Sequence, residues 1–301
     1  MKKRVLIIGG GTIAVHYAEG LKKSPLLQPI ALCDIHEDCP ARSVFPDLTF
    51  FKDYKEGIEQ GQFDAAVLAL PPKMHVDVAT YCMQKGLDVY VEKPLADTKE
   101  SVQRAYDVAR GLGRQLTTMF HWQYADEVLF LKEYLKEKKV ESVSVYIRDD
   151  YACSPRGVIR ADRRGLGGAW LDSGINALSY VNEILPLDGA KLLGKEEYAT
   201  DGQDLYFTRR KFAVNGANLE IVVDWSTPSR QKQSTIVADG EEIFVDHTLQ
   251  QVKVGEKLIF EKKVADRLTT HYFNAFVSPD LTEKGDEKTS ELLHEILFCN
   301  Q

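Results

Sequence analysis

Along the first ~120 residues, short continuous apolar runs alternate with stretches of helical period. Val5–Ile8, Pro29–Asp34, Asp64–Leu70 and Leu87–Val91 are such runs, and Gln115–Met119 closes the set. Between them, helical patterns extend from the glycine run to about Lys23, from His75 to Lys85, and from about Thr98 to Leu112. Strands without polar alternation must be covered on both faces, which is the property of a parallel sheet flanked by helices. The handedness of crossover connections then predicts a doubly wound, right-handed domain.

The texture changes near residue 121. Tyr124–Lys138 reads as a helix with Val128, Leu131 and Leu135 on one face. Glu141–Arg148 alternates like a half-buried strand, and a glycine-marked helix is expected over Ala169–Leu185. Leu205–Phe212, Leu219–Trp225, Ser234–Ala238, Ile243–Val245 and Lys257–Phe260 are β-rich, with hairpin signals at Asn215-Gly216 and Asp239-Gly240. Antiparallel strands with one solvated face are the natural reading. Two helices near Ala265–Phe276 and Thr289–Cys299 end the chain. The expected domains are therefore 1–121 and 122–301.

Composition narrows the function more than the fold. The net charge of −7 gives no electrostatic reason to bind nucleic acid. Cysteines at 33, 39, 82, 153 and 299 are odd in number and lack CxxC spacing, which argues against a disulfide framework or a structural zinc and fits a reducing cytosol. Val5–Ile8 is too short an apolar run for a signal peptide, and no stretch reaches membrane length. A cytoplasmic protein with neither membrane nor metal is the expectation.

Gly9, Gly11 and Ala14 form GxGxxA directly after a strand and at the head of a helix. Gly9 permits the tight turn, Gly11 admits a pyrophosphate, and Ala14 lets helix and strand approach. The amides of the helix start, at Thr12 and Ile13, offer an anion site. Asp34 lies 20 residues beyond Ala14, where a carboxylate would accept hydrogen bonds from a ribose and repel a 2′-phosphate. NAD is therefore expected over NADP, although FAD stays open from this motif alone. Pro71, Pro72 and His75 follow one strand, and Glu92, Lys93 and Pro94 follow the next, at the carboxyl ends that border a cofactor crevice. A lysine there can exchange a proton with a substrate hydroxyl once its pKa is lowered.

Together with Gly167-Gly168-Ala169-Trp170-Leu171-Asp172-Ser173-Gly174-Ile175-Asn176, these motifs resemble, in order and spacing, the glucose–fructose oxidoreductase / inositol dehydrogenase family. The resemblance covers essentially the whole chain. It implies an α/β protein: an N-terminal Rossmann doubly wound parallel sheet plus a C-terminal α+β domain with a large, mostly antiparallel open sheet. It also implies a homodimer or homotetramer and a sugar or cyclitol substrate. By position, Lys93 matches the family's catalytic lysine, and Asp172 an aspartate that holds the substrate hydroxyl. Glu92 and His75 join the cofactor loops.

Most members of the family carry a histidine where this chain has Asn176, which can hydrogen-bond but cannot shuttle protons near neutral pH. The bacterial aldose 1-dehydrogenase branch shares this asparagine and an acidic pair like Asp149-Asp150. Its later histidine is missing here, with Pro155 near that place. His121 and Asp149 are further candidates for substrate contact. The arginines at 156, 160, 163 and 164 read as solvated charge. The leading expectation is NAD-dependent oxidation of an aldose at C1 to its lactone. An inositol, amino-sugar or nucleotide-sugar oxidoreductase is the alternative, and an inactive NAD- and sugar-binding regulator is a third.

Overall fold

The computed structural model describes residues 1–153, 158–159, 165–200, 204–278 and 287–299. The chain divides into two compact units: Met1–His121 with Leu268–Glu291, and Trp122–Arg267 with Leu292–Gln301.

The first unit carries a six-stranded parallel sheet. Its elements are β1 (Lys3–Ile8), α1 (Thr12–Lys23), β2 (Leu27–Cys33), α2 (Ala41–Val44), β3 (Thr49–Phe51), α3 (Tyr54–Gln60), β4 (Ala65–Leu68), α4 (Pro72–Gln84), β5 (Asp88–Glu92), α5 (Lys99–Leu112) and β6 (Leu116–Met119). The order β3-β2-β1-β4-β5-β6 reverses at β1, which places the switch point between β1 and β4. Val5–Ile7, Ala65–Leu68 and Val89–Val91 have no solvent exposure, as strands covered on both faces require. The sequence pattern misses β3, whose three residues are too few to show a period, and the short α2 and α3 beside it. It also gives no sign that Leu268–Glu291 belongs to this unit. That segment packs on α1, where a Cβ on Gly20 would lie only 2.7 Å from the Tyr272 carbonyl oxygen.

The second unit is built on an eight-stranded sheet. In chain order it holds α6 (Asp126–Tyr134), β7 (Val140–Arg148), β8 (Ala152–Cys153), β9 (Val158–Ile159), α7 (Ile175–Ile184), β10 (Lys191–Ala199), β11 (Leu205–Val214), β12 (Ala217–Asp224), β13 (Gln231–Ala238), β14 (Glu241–Asp246), β15 (Gln251–Val254) and β16 (Lys257–Glu261). Helices α8 (Arg267–Val277) and α9 (Glu287–Leu297) follow. The strand order is β10-β11-β12-β7-β13-β14-β15-β16, with β7 and β12 parallel and the other neighbours antiparallel. Both expected hairpins are present. Asn215 and Gly216 have φ of 50° and 85°, Asp239 and Gly240 50° and 73°, the twin positive angles of a turn matched to strand twist. Neither β10 nor β15 was expected. As an edge strand, β10 pairs its charges with β11 (Glu196 with Arg209, Glu197 with Arg210) and so carries no apolar alternation.

The covered face of this sheet shows a period of two: Val143, Val145 and Ile147 on β7, Leu219, Ile221 and Val223 on β12, Ile236 and Ala238 on β13. Helix α7 packs against β7. Beneath it lies a polar chain. Glu127 Oε1 is 2.9 Å from His247 Nδ1, whose Nε2 is 2.7 Å from Ser234 Oγ, itself 2.9 Å from the Tyr180 hydroxyl. The order of groups is that of a Ser–His–acid triad, but Ser234 is 3% exposed and Glu127 and His247 not at all. The rings of Tyr180 and Trp122 lie 4.6 and 4.9 Å from the imidazole. No substrate reaches such a hydroxyl. The cluster serves the fold by satisfying polar groups that burial would otherwise strand. His247→Ala leaves the Glu127 carboxyl buried without that partner and is expected to destabilise the protein by about 3 kcal/mol or more. Urea unfolding monitored by tryptophan fluorescence measures it, and an unchanged midpoint would contradict this account.

Candidate active site

At the end of β1 the chain must turn tightly against β4. Gly9 has φ of 97°, and a Cβ there would lie 2.3 Å from the Ala69 carbonyl oxygen, so only glycine fits. Gly11 differs: a Cβ there meets nothing within 4 Å. It is the N-cap of α1 and makes no side-chain cap bond, and no acidic residue occupies the first turn. An open approach to uncapped helix amides is what a pyrophosphate needs. Asp34 follows β2. Its Oδ2 accepts from Gly10 N at 2.7 Å and its Oδ1 from His36 N at 2.9 Å, so the carboxylate orients the glycine loop and keeps lone pairs for a ribose. These features fit a dinucleotide. Thr12 and Pro71 are exposed beside the loop ends, and Ile13 is half-buried.

The lysine is held from below. Glu92, the last residue of β5, is 7% exposed, and its Oε2 accepts from the hydroxyls of Tyr17 at 2.6 Å and Tyr272 at 2.8 Å. Burial, and then the Glu92 charge, pushes both phenols well above the usual tyrosine pKa. The two donors come from α1 and α8, so three elements meet on one carboxylate. Lys93 follows, half-buried, and its bond to Pro94 is cis. His75 is fully buried with Nδ1 2.8 Å from the Pro94 carbonyl and Nε2 2.7 Å from the Leu70 carbonyl. Burial, reinforced by the Lys93 charge, lowers the His75 pKa. Glu92 and His75 thus face the core and support the loops of the first unit. His121 closes this stretch with its Nδ1 3.2 Å from that of His271, one ring donating to the other.

In the second unit, Asp172 stands in a wide π-type turn, Trp170–Gly174, that leads into α7. Such turns are rare and widen the helix locally. Asn176 Nδ2 donates to the Asp172 carbonyl at 3.2 Å, while its Oδ1 has no partner among the described residues. Two positive-φ glycines precede the turn, and a Cβ on Gly168 would lie 2.8 Å from the Leu205 nitrogen. Ser173 Oγ accepts from the Trp225 indole at 3.1 Å, which ties the turn to the end of β12. Asp149 is 3% exposed just beyond β7 and forms an ion pair of 2.7 Å with Lys232 of β13.

Each unit therefore gathers its own part of the expected set. Gly9, Gly11, Thr12, Ile13, Asp34, Pro71, His75, Glu92, Lys93 and His121 belong to the first, and Asp149, Asp172 and Asn176 to the second. Tyr17, Tyr272 and Lys232 were not expected. The arginines at 156, 160, 163 and 164 and Pro155 lie outside the described residues. Among the described residues no His, Cys, Asp and Glu cluster could hold a metal, and no helix is long and apolar enough to cross a membrane.

Residues 3–121 match the family described as "Oxidoreductase family, NAD-binding Rossmann fold". Rhizopine catabolism protein MocA of Rhizobium meliloti is 23% identical over 58% of this chain and 54% of its own length. D-glucoside 3-dehydrogenase of Escherichia coli K12 is 24% identical over 66% of this chain and 58% of its own. The chain thus spans little more than half the length of these curated relatives. The crystal structure of an oxidoreductase from Agrobacterium radiobacter in complex with NAD+, L-tartaric acid and magnesium superposes with a TM-score of 0.80 over 99% of this chain and 94% of that one. At 13% identity this likeness establishes the fold.

The two glycines of the loop give opposite expectations. Gly11→Ala keeps the melting temperature of the wild type but weakens NAD binding about tenfold or more, roughly 1.4 kcal/mol. Gly9→Ala destabilises the protein itself, through a positive φ and a backbone clash. Thermal denaturation and calorimetric titration with NAD separate the two. Equal stability for both variants would remove the basis of this assignment.

Proposed function

We propose that the chain is a member of the Gfo/Idh/MocA oxidoreductase family, whose NAD-binding Rossmann model matches residues 3–121, and that it oxidises an aldose at C1 to the lactone with NAD. The observation that carries this reading is the Asp172–Asn176 pair. A carboxylate stands where the family resemblance places the hydroxyl-activating group, and the residue one turn on is an amide already bonded to the Asp172 carbonyl. At this position, where most of the family carries histidine, no imidazole moves a proton, and a hemiacetal hydroxyl needs the least help because it is more acidic than an ordinary alcohol.

NAD bound at the Gly9–Gly11 loop and Asp34 would supply the hydride acceptor. The protein supplies the rest. Lys93 or Asp172 takes the proton of the anomeric hydroxyl, and Asn176 bonds O1 or a ring hydroxyl. Asp149 and His121 are assigned to other hydroxyls of the sugar. Asp34 favours NAD, because a 2′-phosphate would face a carboxylate that is already fixed by Gly10 and His36. We assign the protein to the cytoplasm as a homodimer or homotetramer.

A second reading is favoured by one similarity. The relative from E. coli is a D-glucoside 3-dehydrogenase, so oxidation of a secondary ring hydroxyl is the competing chemistry. A panel of aldoses, glycosides, cyclitols and amino sugars, followed at the reduced-nicotinamide absorbance, decides between them. Lactone release from a free aldose supports the first reading, and turnover of a glycoside blocked at C1 supports the second. Cofactor binding without turnover of any panel member supports an inactive regulator.

Lys93→Ala is expected to lower kcat by about two to four orders of magnitude, the usual worth of a general base, with the Kd for NAD within twofold of wild type. If Lys93 and Asp172 serve one proton transfer, Asp172→Asn in the Lys93→Ala background costs far less than it does alone. Wild-type turnover by Lys93→Ala would overturn the mechanism.

For the cofactor, Asp34→Ala should lower kcat/KM with NAD about tenfold and narrow or reverse the preference over NADP. An unchanged ratio would remove Asp34 from nucleotide selection.

A further inference from the structure

Arg210 has no part in the reaction as drawn, and the covered face of a sheet is a costly place for a guanidinium. It lies on β11 at the parity of Thr208 and Phe212, opposite Ile221 of β12, and is 2% exposed. Its Nη2 donates to Glu197 Oε1 of the edge strand at 2.6 Å, which balances the charge. Exchanging such a pair for apolar residues is often neutral or better, so charge balance alone does not explain the arginine.

Its other contacts lead to the turn that carries Asp172. The guanidinium carbon is 4.2 Å from the centre of the Trp170 ring, and Phe212 stacks on the same ring with centres 6.4 Å apart and planes at 20°. Trp170 Nε1 donates at 2.8 Å to the carbonyl of Leu297, the last residue of α9, and Arg210 Nη1 lies 3.5 Å from that carbonyl. Trp170 opens the wide turn and Gly174 ends it. The indole lies against Gly174, where a Cβ would be 2.3 Å from Trp170 Cε3. One ring therefore joins the two ends of the turn, and β11 and α9 fix that ring. Trp225 holds the turn at Ser173 as well. From Ala169 to Val181, Asp172 and Asn176 alone are not buried.

We propose that Arg210 is a positioning residue for Asp172: stacked on Trp170, it holds the turn in its wide form and so sets the direction in which the carboxylate leaves the helix. The proposal rests on the reading above, in which Asp172 meets the sugar hydroxyl. Widening a helix changes the angle between successive side chains, so a return to regular winding would turn Asp172 away from its present direction relative to α7. A planar guanidinium suits the task, because it covers an indole with its face while its edge serves Glu197 and the Leu297 carbonyl.

The test is a double-mutant cycle between Arg210→Met and Asp172→Asn. Glu197 keeps Lys195 at 3.1 Å, so Arg210→Met does not leave that carboxylate alone. Arg210→Met should lower kcat about tenfold or more, the scale of a misplacement of roughly 1 Å at a reacting group, with the Kd for NAD within twofold of wild type. In the Asp172→Asn background the same substitution should cost less than about twofold. If Arg210→Met lowers the melting temperature and leaves kcat in place, or costs as much without the Asp172 carboxylate as with it, the proposal is overturned. Should Arg210→Met fold poorly, Gly174→Ala reaches the same contact from the turn, because its Cβ displaces the indole, and kcat should fall alike. Wild-type kcat in that variant counts against the proposal.

A crystal structure of substrate-free Arg210→Met separates this from the functional reading. If no sugar is turned over but residues 170–174 have rewound as regular helix, the assignment of Arg210 stands and the choice of substrate falls. A turn of unchanged width in Arg210→Met overturns the assignment of Arg210.

Discussion

One buried carboxylate governs the first unit. Glu92 ends β5 inside the core, where an ionised side chain survives only if donors replace the water it has lost. Tyr17 and Tyr272 are those donors, and each hydrogen bond to a charged acceptor is worth roughly 1.5–3 kcal/mol. Losing both would strip two donors from a buried carboxylate, so the three elements that meet on it are locked as a set. Lys93 inherits its position from this lock, since the residue before it cannot shift without breaking two buried bonds. A lysine on a flexible loop would spread over many positions, and one anchored through its neighbour does not.

The nucleotide loop follows the same logic at smaller cost. Asp34 holds the Gly10 amide and the His36 amide with its two oxygens, so the group proposed to select the ribose also shapes the glycine loop. His75 does comparable work between the Leu70 and Pro94 carbonyls, joining the loops after β4 and β5. In each case a polar side chain that the sequence marks as functional turns out to make bonds to backbone. The structural load at both loops is thus carried by side chains next to the glycines and the lysine rather than by those residues.

What the sequence revealed depended on period. The six-stranded domain was legible because its strands are wholly apolar and its helices amphipathic, while β3 was too short and β10 too charged to register. The glycine loop, Asp34 and Lys93 could be read from local spacing. The Glu92–Tyr272 bond spans 180 positions, and no local pattern announces a pairing at that distance. The bond from Asn176 to the Asp172 carbonyl was equally hidden, because it depends on a π-type turn within a stretch that reads as ordinary helix. Lys232 is a different case. Extending the alternation of Ser234, Ile236 and Ala238 back by one step puts a lysine on the buried face, and a charged residue at a core parity is a signal in itself. It was missed because the strand was begun at Ser234.

The second unit shows why geometry needs access before it becomes chemistry. Ser234, His247 and Glu127 stand in the order of a nucleophile, its base and an orienting acid, yet the group is sealed under Trp122 and Tyr180. Its charges and dipoles have nothing to act on, and they cancel one another. Two residues before Ser234 on the same strand, Lys232 meets Asp149 at the rim of the same face, where the side chain retains some exposure. Both clusters answer the problem of polar groups in a sheet core. Of the two, only the rim pair leaves its cation partly in water, so its charge is neutralised by one partner and by solvent rather than by a closed chain of dipoles. The same sheet face therefore solves one problem in two ways, a sealed network at its middle and an ion pair at its edge.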